Sequence, residues 1–388
     1  HPSAATPGPV SGAYEHPLLS VVSGKFVTEV RQRFSDSHTQ VWRIYRQDDD
    51  PLAAGFVEIV YGLGPLVGNQ EVVSGFDTGI QSQNIAADDL PVFFTDNNGF
   101  QMQRRVFSAS RSFPDNTTSK VAPSPTYNVA LNYYPIVRTA YIEDAKNRLL
   151  VLSRQTGGAT SRKAGQLEIM MHRRSLQDDS KGACQAFNDT SGQYANIPLD
   201  NSSGTSCSQY GWAGTCRADN CPEYAVPMNI STRVEPVHWL VVGARGSVDA
   251  RWRQLSQILN NRPTLIVSGA RAINDSGHSW FAPLSGLPRQ VHVLSLQTLA
   301  DGDILLRLQN IYELGSSVLG DDDSVSISFQ ATGLCNLFGE SAEVRETLLN
   351  GLPFITDGAG RSKACSSVNA VLFPQDLQTF RISSHQQQ

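Results

Sequence analysis

One strand-like stretch of the sequence ends in a cluster of charged side chains that are suited to binding chemistry. The alternating segment 166–171 is followed by Arg173 and Arg174, with Asp178 and Asp179 a few residues later. Successive strand side chains point to opposite faces, so we expect one arginine to face a cleft and the other to pair with an aspartate. The alternative is a surface ion-pair cluster of small energetic value, and the residues alone favour that alternative.

Motifs for nucleophilic or metal-assisted catalysis are missing from the sequence. It contains no G-x-S-x-G, no P-loop and no G-x-G-x-x-G, and none of its 8 histidines begins an H-x-D, H-x-H or H-E-x-x-H pattern. His238 and His292 lie within apolar strand patterns, which is typical of core or edge histidines. Without further information, these residues indicate a binding or accessory domain.

The composition excludes several classes of partner. The formal net charge is −5, whereas a nucleic-acid-binding face is basic, so we expect no nucleic-acid partner. No apolar run approaches the roughly 20 residues of a membrane span, so we expect none. The start at His1-Pro2-Ser3 carries no signal peptide, and we expect the chain to be a piece of a larger protein. The oligomeric state stays open, with a homo-oligomer as one option.

Cysteines and glycosylation sequons favour the secretory pathway. The chain has 6 cysteines and no C-x-x-C pair, which indicates disulfides more than zinc; they are Cys184, Cys207, Cys216, Cys221, Cys335 and Cys365. Candidate N-glycosylation sites are Asn116, Asn188, Asn201, Asn229 and Asn274. A protein of the secretory pathway is therefore expected.

The pattern of apolar residues predicts a mainly β protein. Strand-like alternation occurs in 25–34, 40–47, 55–64, 91–96 and 139–153, and Asn98-Gly99 predicts a two-residue hairpin turn. Segment 250–261 is the best helix candidate, and Pro263 is expected to stop it. We predict a first mainly β domain over 1–228, with a Cys-rich excursion at about 183–227, and a second β domain over 229–388.

Several long segments resemble, in order, the C-terminal half of the glycoside hydrolase family 38 α-mannosidases, nearest to the lysosomal type. They are SGAY (11–14), VEIVYGLGPL (57–66), EVVSGFDTGIQS (71–82), FFTDNNGFQMQRR (93–105), NYYPIVRTAYIED (132–144), the segment 157–179, VHVLSLQTLADGDILLRLQNIYELG (291–315) and VRETLLNG (344–351). The resemblance covers most of the chain and leaves out chiefly 183–229. It implies a large antiparallel β-sandwich of supersandwich type over 1–228, a smaller β-sandwich over 229–388, and a lysosomal or secreted location.

The resemblance implies a function that this chain performs only as part of a larger enzyme. In that family an N-terminal α/β portion holds zinc and the catalytic carboxylates, and terminal α-mannose is hydrolysed from N-glycan-type oligosaccharides with retention. This chain lacks those segments, so it is expected to carry no catalytic residue and no metal ligand and to be inactive alone. The N-terminal portion and mannose-containing oligosaccharides are the implied partners.

The resemblance also implies substrate-binding residues. Tyr14 of the SGAY segment and one arginine of the doublet Arg173 and Arg174 are expected to reach the pocket, with Asp178 and Asp179 supporting the doublet. The family's Gly-Gly-Ser-Ser is replaced here by Gly157-Gly158-Ala159-Thr160, and Ser180-Lys181-Gly182 replaces its Gly-Arg-Gly. Both changes lie near the expected rim and put substrate preference in question.

Two points complete the expectations from the sequence. Cys335 and Cys365 are an attractive disulfide pair because both fall in the second domain. A non-catalytic, secreted carbohydrate-binding or structural β-sandwich protein is the alternative function.

Overall fold

A computed structural model describes most of the chain as two compact units. The described residues are 13–46, 55–66, 70–84, 89–108, 131–174, 205–206, 215–216, 233–262, 264, 286–316, 324–353 and 362–383. The two units are His1–Val248 and Asp249–Gln388. The domain boundary expected at residue 228 lies among residues that the structure does not describe.

The first unit is built from antiparallel strands. They are β1 (Leu18–Ser23), β2 (Val27–Ser35), β3 (His38–Tyr45), β4 (Val57–Leu63), β5 (Gln70–Asp77), β6 (Gln83–Asn84), β7 (Leu90–Asp96), β8 (Met102–Val106), β9 (Tyr134–Ile136), β10 (Thr139–Glu143), β11 (Asn147–Ser153), β12 (Gly157–Thr160), β13 (Gln166–Arg174), β14 (Thr205–Ser206), β15 (Thr215–Cys216) and β16 (Val237–Ala244). Ten of them form one sheet in the order β1-β2-β3-β4-β16-β11-β10-β7-β6, with β8 paired to β7. A second sheet has the order β5-β13-β12-β9, and β14 pairs with β15.

The two larger sheets of the first unit pack face to face because their strands alternate apolar side chains toward a shared core. In β4 the side chains of Ile59, Tyr61 and Leu63 are buried. In β13 those of Leu167 and Ile169 are buried in the same way. Residues of both sheets share two core clusters among the described residues. The predicted large antiparallel sandwich is therefore confirmed.

One border of the ten-stranded sheet is unusually apolar. Within the described residues, β1 pairs with β2 on one side and has no strand on the other. Four of its large apolar side chains are exposed by 48–63%: Leu18, Leu19, Val21 and Val22. Among the residues that the structure describes, this border thus combines a strand edge without a neighbour and exposed apolar surface.

The predicted hairpins are present, but one turn differs from the expectation. Strands β10 and β11 pair as predicted for 139–153. Strands β7 and β8 also pair, and the pair Asp96 with Met102 closes a loop of five residues rather than two. Gly99 has φ 86°, but Asn98 does not share a positive φ. Instead, the Asn98 side chain accepts hydrogen bonds from the backbone N–H groups of Phe100 and Gln101 at 3.0 and 2.8 Å, which stabilises the longer loop.

The second unit is a smaller sandwich. Its elements are α1 (Arg245–Asn260, which begins in the first unit), β17 (Val291–Thr298), β18 (Ile304–Asn310), β19 (Val325–Ser328), α2 (Leu334–Phe338), β20 (Glu343–Thr347), β21 (Lys363–Ala364), a 3₁₀ turn (Cys365–Ser367), β22 (Asn369–Leu372) and β23 (Leu377–Ser383). A five-stranded sheet has the order β17-β18-β23-β20-β21, and β19 pairs with β22. Both sheets contribute to one buried cluster, so this sandwich is confirmed as well.

A disulfide and a buried arginine anchor the second unit. Cys335 and Cys365 form the predicted disulfide, and both residues are buried. Arg253 of α1 is 1% exposed; it donates to Glu313 at 2.8 Å and to Asp249 at 3.3 Å. A buried guanidinium requires such partners because its charge is costly to remove from water.

Candidate functional site

Tyr14 lies just before β1, beside the turn that joins β2 and β3. Its backbone N–H donates to the carbonyl oxygen of Phe34 at 2.7 Å. Its hydroxyl donates to Oδ1 of Asp36 at 2.8 Å. Tyr14 is therefore held by both main chain and side chain, although its ring is only partly buried.

Asp36 is shared between Tyr14 and two arginines. Nη2 of Arg33 is 2.5 Å from Oδ1 of Asp36, and Nη2 of Arg233 donates to the Asp36 backbone oxygen at 3.3 Å. The hydrogen bond from Tyr14, followed by that from Arg33, lowers the pKa of Asp36. The same hydrogen bond to Asp36 raises the pKa of Tyr14. Tyr14 thus keeps its proton and Asp36 stays ionised.

A β-bulge places the arginine doublet at the end of β13. The register shifts between Met170 and His172, so Met171 has no partner on β5. Met171 still packs against the inner cluster that contains Val72, as expected for the face of Leu167 and Ile169. After the bulge, Arg173 is opposite Glu71 and Arg174 is opposite Gln70. The backbone of the doublet thus continues the pairing of β13 with β5 up to the last residue of the strand.

Arg173 forms its ion pair across the strands. Nη1 of Arg173 lies 3.6 Å from Oε1 of Glu71, and the Arg173 side chain is 53% exposed. The expected partners Asp178 and Asp179 lie outside the described residues, as does the side chain of Arg174. Which arginine faces a pocket stays a prediction.

Tyr14 and the arginine doublet lie toward the same end of the first unit. The hydroxyl groups of Tyr61 in β4 and Ser74 in β5 are 2.7 Å apart, and this contact aligns the two sheets. Toward the end of β4, Leu63 shares a cluster with Val72 of β5 and with Met171. The next residue after β4, Gly64, donates its N–H to Ser37 in the β2–β3 turn at 2.9 Å. The turn that holds Tyr14 and the end of β13 are therefore on one side of the sandwich.

A tyrosine–glutamate pair on the same face of β13 as Arg173 was not expected from the sequence. The hydroxyl of Tyr133 donates to Oε1 of Glu168, and burial, then the Glu168 carboxylate, raises the pKa of Tyr133. The alternation of β13 was a signal that Glu168 lies on the outer face. Its partner Tyr133 is 35 residues away in sequence, and nothing local indicates it.

Many predicted modification sites cannot be placed. Those outside the described residues are Asn116, Asn188, Asn201, Asn229, Asn274, Cys184, Cys207 and Cys221, and the side chain of Cys216 is not described either. In the part of the chain that is described, no group of three or more His, Cys, Asp or Glu side chains is arranged to hold a metal ion. The helices described there are too short or too polar to cross a membrane.

Comparison with known proteins identifies the class. The model of the glycosyl hydrolases family 38 C-terminal domain matches residues 5–181. An epididymis-specific α-mannosidase of Homo sapiens is 34% identical over 199 residues, which cover 48% of this chain and 18% of that protein. An α-mannosidase of Canavalia ensiformis is 30% identical over 305 residues, or 76% of this chain and 26% of that protein.

Further relatives include a lysosomal α-mannosidase of Felis catus, 34% identical over 46% of this chain and 17% of that protein. A solved structure of a family 38 protein from Enterococcus faecalis superposes with a TM-score of 0.48 and 8% identity, over 95% of this chain and 36% of that chain. The chain spans about a fifth to a quarter of the length of the curated relatives that it matches.

The antiparallel sandwich and the sequence matches together define a β domain of a glycoside hydrolase. Residues 5–181 carry the C-terminal domain of glycoside hydrolase family 38, and the chain is similar to α-mannosidases beyond that range. Epididymal, plant and lysosomal α-mannosidases all match, so the similarity extends beyond the lysosomal type.

Proposed function

We propose that this chain is the C-terminal β portion of a retaining, zinc-dependent α-mannosidase that removes terminal α-mannose from N-glycan-type oligosaccharides. The chain completes a pocket whose zinc and catalytic carboxylates lie on an N-terminal α/β portion, and it is inactive by itself. The proposal is supported chiefly by the family match over residues 5–181, because that range contains the Tyr14 segment and the arginine doublet.

In this proposal Tyr14 and one arginine of the doublet bind hydroxyl groups of the mannose. A phenol can exchange a hydrogen bond with a sugar hydroxyl, and a guanidinium presents several donors in a rigid plane. The position of Tyr14 and the end of β13 on one side of the sandwich supports a shared rim. Asp178 and Asp179 are proposed to hold the doublet, while Glu71 already pairs with Arg173.

The chemistry of bond cleavage belongs to the N-terminal portion. Two carboxylates carry retaining glycoside hydrolysis, one as nucleophile and one as acid and base. Zinc, when bound there, would act as a Lewis acid that binds the sugar hydroxyls. The residues of this chain bind and orient the sugar and keep water from the rim. An arginine beside the acid/base carboxylate would also favour its ionised form.

The location is proposed to be the lysosome or the extracellular space. The disulfide between Cys335 and Cys365 and the matches to lysosomal enzymes support it. The sequons named above are proposed as glycosylation sites of such a protein.

The first experiment is a zinc-supplemented assay on a chromogenic α-mannoside. The chain is tested alone and then with the purified N-terminal portion, and activity is expected only in the mixture. Activity of the isolated chain would show that the catalytic carboxylates have been assigned to the wrong part. A stable but inactive complex would favour the alternative of a carbohydrate-binding or structural protein.

Site variants test the residues in the complete enzyme. Tyr14→Phe and alanine at Arg173 or Arg174 are expected to lower turnover without loss of folding. Arg31→Ala is the matched control, since Arg31 is also an exposed strand arginine that pairs with a glutamate, Glu29. Normal turnover in all three site variants would remove the binding role from these residues.

A further inference from the structure

The turn between β2 and β3 brings one residue, Asp36, to donors from three parts of the first unit, two of which reach its carboxylate. Tyr14 comes from the segment before β1, Arg33 from β2 and Arg233 from the segment before β16. Tyr14 and Arg33 both donate to Oδ1, at 2.8 and 2.5 Å. Arg233 donates to the backbone oxygen at 3.3 Å. Asp36 is therefore the point at which these segments meet.

Hydrogen bonds from neighbouring groups stabilise the turn itself. The hydroxyl groups of Ser35 and Ser37 are 3.2 Å apart, and the Ser37 carbonyl oxygen accepts the N–H of Gly64 at 2.9 Å. On the other side, the Tyr14 N–H donates to the carbonyl oxygen of Phe34. The direction of the Tyr14 hydroxyl is thus determined by a connected set of hydrogen bonds, although the side chains of Tyr14 and Asp36 are accessible.

The location of the proton follows from the chemistry of the pair. A phenol carries one O–H proton, and an ionised carboxylate only accepts hydrogen bonds. The hydrogen bond lowers the pKa of Asp36 and raises the pKa of Tyr14. Both directions leave the proton on Tyr14, aimed at Oδ1 of Asp36. The lone pairs of the phenolic oxygen remain the groups that Tyr14 can offer to a third partner.

We infer that Asp36 is a positioning residue that accepts the hydrogen bond from the Tyr14 hydroxyl and so leaves the phenolic oxygen as a hydrogen-bond acceptor for a hydroxyl of the bound mannose. The inference rests on the proposed function, which places Tyr14 at the pocket. It adds a direction to that contact: the sugar hydroxyl donates and Tyr14 accepts. Arg33, whose guanidinium carbon is 5.9 Å from the centre of the Tyr14 ring, keeps Asp36 ionised.

The hydrogen bond is tested first in this chain alone, without any assay of activity. Tyrosine labelled with ¹³C at Cζ reports the pKa of Tyr14 by NMR, with Tyr14→Phe used for assignment. Asp36→Ala is expected to lower that pKa toward the ordinary tyrosine value, and Asp36→Asn, which keeps an acceptor oxygen, to have a smaller effect. Asp301→Ala is the control, because Asp301 also pairs with an arginine, Arg381. An unchanged Tyr14 pKa in Asp36→Ala would overturn the inference.

Kinetics of the complete enzyme then test the role of the pair. Asp36→Ala is expected to lower kcat/KM by about 2-fold to 10-fold, the range that the loss of one hydrogen bond gives. Asp36→Asn should retain most of the activity. Because Asp36 acts through Tyr14, the double variant Tyr14→Phe/Asp36→Ala should be no slower than Tyr14→Phe.

Substrate analogues test the direction of the hydrogen bond. Methyl α-mannosides in which each hydroxyl in turn is replaced by hydrogen or by fluorine are measured as competitive inhibitors of the complete enzyme. Fluorine cannot donate, so at one ring position the fluoro analogue should bind as weakly as the deoxy analogue. The difference in affinity between the parent mannoside and the deoxy analogue at that position should be smaller in Tyr14→Phe than in the wild-type enzyme. Full binding of every fluoro analogue would overturn the acceptor role.

The outcomes separate this inference from the proposed function. The positioning role alone would be overturned by either of two results. In the first, Tyr14→Phe lowers kcat/KM but Asp36→Ala does not. In the second, the double variant loses as much kcat/KM as the two single variants together. Normal kinetics of Tyr14→Phe would overturn the positioning role together with the site role of Tyr14. We expect the losses of kcat/KM to be non-additive in the double variant, and we expect Asp36→Asn to retain most of the activity that Asp36→Ala loses.

Discussion

Trp239 and Glu58 are opposite each other on neighbouring strands, and the indole Nε1 of Trp239 donates to Oε2 of Glu58 at 2.9 Å. Arg43 and Tyr45 donate to the other carboxylate oxygen at 2.9 and 3.1 Å. The Glu58 carboxylate lies on the face of β4 away from Ile59 and Tyr61, yet Glu58 is only 2% exposed. A charge this buried depends on its donors.

We therefore expect Trp239→Phe to destabilise the protein. The phenyl ring can still stack on Phe56, but a donor to a buried carboxylate is lost, at a cost of about 2 kcal/mol. Trp42→Phe is the control, because Trp42 donates to the neutral side chain of Gln40 at 3.2 Å in a less buried place. Urea unfolding followed by circular dichroism measures both. Equal stability of the two variants would contradict the importance of the charged acceptor.

Two glycines should respond very differently to an added methyl group. Gly165 has φ 81°, and a Cβ there would lie 2.5 Å from the carbonyl oxygen of Thr78. The Gly165 carbonyl also accepts from both the N–H and the hydroxyl of Thr78, which prevents the loop from moving away. Gly165→Ala is expected to cost about 2 kcal/mol or more.

Gly75→Ala is the matched control, since nothing lies within 4 Å of its Cβ position. It is expected to change the free energy of unfolding by about 0.5 kcal/mol or less, as for most exposed substitutions. Thermal unfolding of the two alanine variants makes the comparison. A stable Gly165→Ala protein would show that the 165 loop relaxes more easily than its hydrogen bonds indicate.

Acid should weaken the first unit through a buried histidine. His238 is 1% exposed, its Nδ1 has no hydrogen-bond partner among the described residues, and burial lowers its pKa to about 4. Since the unfolded chain takes up a proton near pH 6.5, the stabilising effect is complete above that pH and is lost as the pH falls toward 4. Integrated over that window, the loss is about 3 kcal/mol.

His238→Gln removes this titration. The difference in unfolding free energy between the variant and the wild-type chain should therefore vary with pH between 6.5 and 4, and be constant above 7. Denaturation at a series of pH values gives the curve. A pH-independent difference would mean that folding does not shift the pKa of His238.

The disulfide should stabilise the second unit by restricting its unfolded state. Cys335 and Cys365 are 30 residues apart, and a loop of that size corresponds to about 3–4 kcal/mol of chain entropy. Replacing both cysteines by alanine is expected to lower the midpoint of unfolding of this unit accordingly. Calorimetry with and without reductant measures this midpoint. Reductant should lower the unfolding midpoint of the wild-type unit and leave that of the double variant unchanged.

The strands of both sandwiches could be predicted because their apolar residues alternate. The bulge at Met171 could not, since an extra residue in a strand leaves the alternation of 166–171 intact and appears only when β13 pairs with β5. The length of the β7–β8 loop was missed for a related reason. Asn98-Gly99 indicates a turn, but the side chain of Asn98 stabilises a longer one.

Of the candidate site, Tyr14 and the arginine doublet could be proposed from segments that resemble a family. Their partners could not, because these lie far away in sequence or on another strand. Asp36 is 22 residues from Tyr14 and looks like an ordinary turn residue, and Glu71 meets Arg173 only through strand register. Contacts of this kind are decided by tertiary structure.

The apolar border at β1 has a consequence for handling the chain on its own. In the described part of the chain β1 has no second neighbour, and such an edge with exposed Leu18, Leu19, Val21 and Val22 is a template on which another strand can add. Purified in isolation, the first unit should self-associate in a concentration-dependent way through this border. A lysine at Val21 would interrupt the apolar row and act as a gatekeeper against intermolecular sheet growth.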